Sequence, residues 1–356
     1  MKDFKVINIE DSAIDAIKDF ELPAKLPFGK FMSPIMAIAN YQDGKWGELS
    51  LTKYRTLELD PTSKVLHYSQ EIFEGMKAYH FDGKGPYLFR PQENLERFNF
   101  SARRMAMPEI PSEYFREALA AITSFSSSFI PQENEASLYL RPFMIGTEKG
   151  LGIKPSETFS FIVVASPSQA YFTSRSVKVQ VEREAVRACP GGVGNAKTGG
   201  NYAASLQSMI KAKANGYDQV LWLDAVSKKN IEEMSGMNFF AVYGNELVTP
   251  KLTETILNGI TRKSIITLAK HLGMKVREET MNINDLIKDI KSNKCTEVFA
   301  CGTAVVITPI SLLGEADQTH YTLSHEIGPV TTKLRNSLLG IQQGQEDDPF
   351  GWREEA

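Results

Sequence analysis

Apolar and polar positions along the 356-residue chain recur at two periods, and the period changes at glycine, proline and asparagine. PYLFRP (86–91) reads as a strand running into a helix, ENLERFNFSARRM (93–105), on which Leu95, Phe98, Ala102 and Met105 share one face. ASLYLRPFMIG (136–146) reads as a strand, with Leu138 and Leu140 alternating against Tyr139 and Arg141. ETFSFIVVASP (157–167) is another, apolar enough to be central in its sheet. The polar, aromatic stretch AYFTSRS (170–176) has no regular period and is expected to connect two domains.

The second half repeats strand, turn and helix around glycine. NYAASLQSMIKAKANG (201–216) predicts a helix capped by Asn201 and stopped at Gly216, with Leu206, Met209 and Ile210 facing inward. DQVLWLDA (218–225) is strand-like, and NFFAVYGNELVTP (238–250) is a strand broken by a Gly-Asn turn. ILNGITRKSIITLAKHLG (256–273) is a glycine turn followed by a helix, and TEVFACGTAVVITPI (296–310) is a strand interrupted at Gly302 and Thr303. No repeat of 20–50 residues is visible, and the alternation predicts an α/β class with mixed sheets. The length predicts two domains, 1–171 and 183–356, joined over 172–182.

Composition narrows the function classes. With 42% hydrophobic and 23% charged residues and a formal net charge of −3, the chain has the make-up of a globular protein. No block of like charge points to nucleic acid or a membrane surface as partner. The start, MKDFKVINIEDSAIDAIKDF, lacks an apolar core of signal-peptide length, and no apolar run reaches the length of a membrane span. Cys189, Cys295 and Cys301 are odd in number and form no CxxC, so a reducing cytoplasm is expected rather than a disulfide framework. The five histidines show no metal-ligand spacing, and no metal site is expected.

Candidate chemistry centres on GGVGNAKTGGNY (191–202), where five glycines surround Lys197. Glycine is the residue most expensive to order, and it is used where the backbone bends sharply or approaches a neighbour closely. Two further glycine turns, at Gly259-Ile260-Thr261 and Gly302-Thr303-Ala304, offer backbone N–H groups at a helix start or strand end, where anions bind. None of the three fits GxxxxGK[ST] or a GxGxxG after a strand, so nucleoside triphosphate and nicotinamide sites are poorly supported. A lysine presented in this way suits condensation with an aldehyde cofactor, since desolvation frees its amine as a nucleophile. Pyridoxal phosphate (PLP) asks for such a lysine, a cup for its phosphate and a charged partner for its ring nitrogen. A Schiff-base aldolase would need only the lysine.

Seven blocks together, GGVGNAKTGGNYAASL, DQVLWLDA, EEMSGMNFF, ILNGITR, CGTAVVITP, SQEIFEGMKAY and SLYLRPFMIGTEKGLG, resemble the branched-chain amino acid aminotransferases. The resemblance runs from about Phe28 to Pro329 with the blocks in family order. It implies a two-domain fold-type IV PLP enzyme related to the D-amino acid aminotransferases, a cofactor in the interdomain cleft, and a homodimer. The implied reaction is reversible ping-pong amino transfer between leucine, isoleucine or valine and 2-oxoglutarate. D-amino acid aminotransferases and aminodeoxychorismate lyases are the nearest competitors within that fold.

Position by position, the resemblance makes Lys197 the catalytic lysine that joins the cofactor. Glu233, the second glutamate of IEEMSGMN, becomes the partner of the ring nitrogen, and Arg97 the phosphate-binding arginine. Ile260, Thr261 and Thr303 complete the phosphate cup, Tyr202 approaches the phenolic oxygen, and Arg187 stands behind the cofactor. Tyr68, Phe73, Tyr139, Arg141, Tyr171 and Ala304 line the substrate pocket, Tyr68 entering from a neighbouring subunit. Tyr139 and Arg141 add a signal of their own, because a strand aims i and i+2 at one side. Two departures stand out: MSPIM (32–36) where many relatives carry FTDHM, and Val305 and Thr308 where some animal relatives carry a CxxC.

Overall fold

The computed structural model describes residues 4–169 and 176–356. Tyr171 and residues 172–175 of the expected connection lie outside the described residues. The chain divides into two compact units, the first made of Met1–Tyr171, Ala196–Gly199 and Gly340–Ala356, the second of Phe172–Asn195 and Gly200–Leu339.

In the first unit the described residues form a ten-stranded, largely antiparallel sheet. Its middle is the pair Ser137–Gly146 and Phe159–Ser168, in unbroken register from Ser137 opposite Ser168 to Gly146 opposite Phe159. Both strands are buried along most of their length, as their apolar runs require. The short strand Glu71–Phe73 pairs antiparallel with Ser137–Gly146, placing Phe73 opposite Phe143. Helix Pro91–Arg104 starts with proline at its first position and buries Leu95, Phe98 and Ala102, the face its spacing predicts. Phe98 meets Phe115 of the helix Ser112–Phe125 and Phe161 of the sheet at 5.6 and 5.7 Å between ring centroids.

The second unit is built on a nine-stranded mixed sheet. Val177–Val181 lies parallel to both Gln219–Leu223 and Val306–Gly314. Ile231–Met234 and Met237–Tyr243 form a hairpin, and Met237–Tyr243 pairs antiparallel with Glu297–Gly302. The Gly-Asn turn joins Met237–Tyr243 to Glu246–Pro250, as expected. Glu297–Gly302 and Val306–Gly314 are antiparallel neighbours around the interruption at Thr303. Helix Ile260–His271 follows its glycine turn directly.

Three expectations are corrected. The chain does not divide at a single place. Gly340–Ala356 joins the first unit because Arg353–Glu355 pairs with Lys84–Phe89, and Ala196–Gly199 because Lys197 bonds to the strand Glu71–Phe73. The latter part of the 172–182 connection is the sheet strand Val177–Val181. The helix over 201–216 is two helices, Gly199–Ala203 and Leu206–Ala214, with Ser205 at the second N-cap. Asn201 sits inside the first and donates to the Val193 carbonyl at 2.8 Å. The inward face is Ser205, Ser208 and Ala212, while Leu206 and Ile210 are 57% and 71% exposed. Gly216 does end the helix, at a φ of 84°.

The packing of Phe98 yields a stability prediction. Phe98→Ala removes a fully buried ring wedged between two others, and should lower unfolding free energy by about 3–5 kcal/mol in urea denaturation. A loss under about 1 kcal/mol would mean that the helix carrying Arg97 is not anchored through this ring.

Candidate active site

Lys197 is held by its backbone before its side chain is considered. Its N–H donates to Ser101 Oγ at 2.9 Å, and its carbonyl accepts the Phe73 N–H at 3.0 Å. The amine lies 4.8 Å from the Phe73 ring centroid. Two residues on, the Gly199 N–H donates to the Glu71 carboxylate. The lysine therefore lies along the edge of the strand Glu71–Phe73, whose other edge is paired into the sheet.

The same unit places Phe73, Tyr139 and Arg141 together. Arg141 Nη2 donates to the Tyr139 hydroxyl at 3.1 Å, and its guanidinium carbon stands 4.7 and 5.4 Å from the Phe73 and Tyr139 ring centroids. Arg141 Nε is buried and has no hydrogen-bond acceptor among the described residues. Phe28 meets the Tyr139 ring edge-on at 4.7 Å. Tyr68 is more exposed, its hydroxyl donating to the Leu151 carbonyl.

Arg97 is not a surface residue of its helix. Its Nε and Nη2 hold the two oxygens of Glu74 at 2.7 and 2.8 Å, and the Glu74 side chain is fully buried. Asn94 Nδ2 adds a third donor to Glu74 at 2.7 Å. The sequence reading missed Glu74 as a partner. Its signal was present in EGMKAY, a buried-looking strand end that nonetheless carries an acid.

In the second unit Glu233 is the buried anion. One carboxylate oxygen lies 2.8 Å from Arg187 Nη2. The other accepts from the Leu257 N–H at 3.1 Å and Asn238 Nδ2 at 3.3 Å. Arg187 also donates to the carbonyls of Gly194, at 3.1 Å, and Thr255. One guanidinium thus ties the glycine loop, the carboxylate and the approach to helix Ile260–His271. Gly194 is obligatory there: a Cβ would come within 2.7 Å of both the Ala188 Cβ and the Thr255 Cα.

Alternation on the strand sends Glu232 and Glu233 to opposite faces. Glu232 accepts the Thr255 hydroxyl, and its second oxygen is buried with no hydrogen bond. Burial pushes its carboxyl above the usual range, against the pull of Thr255 and Arg187. Only Glu233 has the set of donors that keeps a buried carboxylate charged.

Ile260 and Thr261 form the first turn of helix Ile260–His271, whose N-cap, Gly259, is extended and supplies no side-chain cap. The first-turn N–H groups are left to an acceptor outside the helix, the arrangement that favours phosphate. Thr303 and Ala304 occupy the half-buried turn between Glu297–Gly302 and Val306–Gly314. Tyr202 packs on Gly236, its ring 3.4 Å from where a Cβ would lie. By unit, Lys197, Arg97, Tyr68, Phe73, Tyr139 and Arg141 belong to the first, and Arg187, Tyr202, Glu233, Ile260, Thr261, Thr303 and Ala304 to the second.

The family model for class IV amino-transferases matches residues 71–313, and the chain belongs to that family. It is similar to a probable branched-chain-amino-acid aminotransferase of Streptomyces coelicolor, 46% identical over 91% of each chain. It is also similar to branched-chain-amino-acid transaminase 1 of Bacillus subtilis, 43% identical over 94% of this chain and 95% of that one. Among solved structures, the Escherichia coli branched-chain amino acid aminotransferase superposes with a TM-score of 0.74 at 29% identity, over 90% of this chain and 99% of the other. The enzyme carries the fold of the fold-type IV aminotransferases.

Removing Arg187 tests the ion pair. Arg187→Leu leaves the Glu233 carboxylate buried without its counter-charge, and should cost about 3–5 kcal/mol of unfolding free energy. Thermal or urea melts measure it, and a loss near zero would show that Leu257 and Asn238 hold Glu233 unaided.

Proposed function

We propose that this enzyme is a branched-chain amino acid aminotransferase that uses PLP, exchanging the amino group between leucine, isoleucine or valine and 2-oxoglutarate. The observation that carries the reading is Lys197, fixed through its own backbone with its amine over Phe73, in a chain of this family. The residues fit the cofactor. An uncapped helix start suits its phosphate, and a buried carboxylate with three donors suits a cationic ring nitrogen. Another branched-chain amino acid aminotransferase, solved in complex with N-(5'-phosphopyridoxyl)-L-glutamate, superposes on the chain with a TM-score of 0.72 at 27% identity.

Bound PLP supplies an electron sink that lets the α-proton of an amino acid leave. The Lys197 amine takes that proton and returns it in the reverse half-reaction. Glu233, paired with Arg187, would serve the ring nitrogen as its counter-charge. The N–H groups of Ile260 and Thr261, the Thr303 hydroxyl and Arg97 would hold the phosphate. The Tyr202 hydroxyl would serve the phenolic oxygen.

Substrate recognition has to accept an aliphatic and an acidic side chain in turn. Phe73 and the partner subunit's Tyr68 hold the aliphatic chain. Tyr139 and the Thr303-Ala304 turn take the α-carboxylate, and Arg141 receives the distal carboxylate of glutamate. The buried Nε of Arg141, which has no acceptor, supports this role. A homodimer in the cytoplasm belongs to the same reading. Its supports are the exposed apolar group of Leu66, Leu151 and Ile153 beside Tyr68, and cysteines that are all unpaired.

Borohydride reduction of the PLP-loaded protein, followed by peptide mapping, should leave the label on Lys197. Label on Lys77 or Lys213 would overturn the assignment. For specificity, Arg141→Met keeps an unbranched apolar stem and removes the charge. Single-turnover spectra should show the leucine half-reaction within about threefold of the parent, and glutamate kcat/KM down by about a hundredfold, the worth of a lost charge-assisted contact. Equal losses in both halves would make Arg141 structural.

A further inference from the structure

Glu71 received no role from the sequence, yet it stands at the lysine. It opens the strand Glu71–Phe73, opposite Ile145, and is only half-exposed. Its carboxylate accepts the Gly199 N–H, while two residues along the same strand the Phe73 N–H donates to the Lys197 carbonyl at 3.0 Å. One strand therefore grips the segment Lys197–Gly199 at both ends, and Ser101 Oγ holds the Lys197 N–H from a third direction at 2.9 Å. Glu71 is the only ionisable side chain among these three anchors.

The site is built for that acid. A Cβ at position 199 would collide with the carboxylate, its Cδ being 3.3 Å away, so the present contact depends on glycine there. Burial, the largest effect, pushes the Glu71 carboxyl above its usual range. The Gly199 N–H, the Thr198 side chain and the charges of Arg141 and Lys197 all pull the other way. A carboxylate kept half-buried at that disadvantage, with the Gly199 N–H donating to it, marks a candidate for a task.

We propose that Glu71 is a positioning residue for Lys197: by accepting the Gly199 N–H, its carboxylate oxygen fixes the Lys197–Gly199 backbone, and with it the place from which the amine acts. This rests on the reading of Lys197 as the reactive lysine. Displacing a reacting group by about 1 Å can slow a reaction about a hundredfold, so a lost anchor should appear in the rate rather than in binding. Because Lys197 serves both half-reactions, both should slow together, unlike the selective effect expected at Arg141.

The test uses the PLP-loaded enzyme and its variants Glu71→Ala, Glu71→Gln, Gly199→Ala and the double variant Glu71→Ala/Gly199→Ala. Glu71→Ala should slow single turnover about ten- to a hundredfold with both leucine and glutamate, with the apparent dissociation constant of each amino acid unchanged within about threefold. Glu71→Gln keeps an oxygen acceptor and should restore the rate to within about threefold of the parent. Gly199 lies outside the left-handed region, so alanine fits its backbone and acts by displacing the carboxylate. Gly199→Ala should slow the parent enzyme but add nothing in the Glu71→Ala background, the non-additivity of a shared contact. A normal rate for Glu71→Ala, a Gln variant as slow as Ala, or additive losses at 71 and 199 would each overturn the proposal. Should Glu71→Ala fail to fold, Gly199→Ala decides alone, and a rate equal to the parent's overturns it. Borohydride label absent from Lys197 in the parent enzyme would instead overturn the reading of Lys197 itself.

Discussion

The main-chain hydrogen bond from Phe73 to the Lys197 carbonyl is the constraint on which the arrangement of the first unit depends. It turns a glycine-rich loop into an extension of the sheet at the one residue whose side chain must be placed. Ordering a residue's backbone costs about 1–2 kcal/mol, and glycines raise that figure. The loop recovers stability only where it is bonded, at Lys197 and Gly199 and at the Val193 and Gly194 carbonyls among other places. Phe73 serves twice, since its ring also lies against the Lys197 amine and the Arg141 guanidinium. The neighbouring Glu74 fixes Arg97, so the short run Glu71–Glu74 sets two of the basic groups that the proposed chemistry requires.

The second unit is organised by a different force. Arg187 and Glu233 are both nearly buried, and a buried ion pair is useful only when its remaining donors and lone pairs are satisfied. Here the carbonyls of Gly194 and Thr255 share Nη2 with the carboxylate, and Leu257 and Asn238 donate to that carboxylate, while Arg187 Nε is buried with no hydrogen bond among the described residues. The pair therefore ties three chain segments to one charge centre. Glu232 shows the contrast: one residue away and equally hidden, it has a single donor, and its carboxyl rises. Which of two adjacent acids receives the donors is decided by the face of a strand.

Much of this was legible in the sequence because it is local. Strand alternation placed Tyr139 beside Arg141, helical spacing placed Leu95, Phe98 and Ala102 inward, and glycine turns marked both ends of the helix Ile260–His271. What failed was also physical. Leu206 and Ile210 have apolar side chains at helical spacing, but Ser205, Ser208 and Ala212 are small enough to let that helix lie close on its sheet, so the smaller residues took the inner face. Glu71 and Glu74 were passed over for another reason. Their partners at 199 and 97 are set by long-range pairing, and an acid in a strand reads as a solvated side chain until its donor is known. The grouping of Gly340–Ala356 with the first unit depends on a three-residue strand, too short to announce itself.

The stacking of Arg141 bears on how one pocket can serve unlike substrates. A guanidinium has apolar faces and a polar edge. With its faces toward Phe73 and Tyr139 it gains roughly 0.5–2 kcal/mol from the rings, and that gain does not depend on what else is bound. Its Nη2 keeps the Tyr139 hydroxyl as an acceptor, so an aliphatic substrate need not leave the whole cation unpartnered. The Nε edge is the part held in reserve, buried and lacking an acceptor. A carboxylate that reaches it adds a charge-assisted bond without rearranging the stack, whereas a branched alkyl chain meets aromatic carbon. A lysine at this position would hold its charge as a strongly hydrated point and would lose both the stacking and the reserved edge. On the proposed reading of the pocket, dual recognition follows from the shape of one side chain rather than from a moving part.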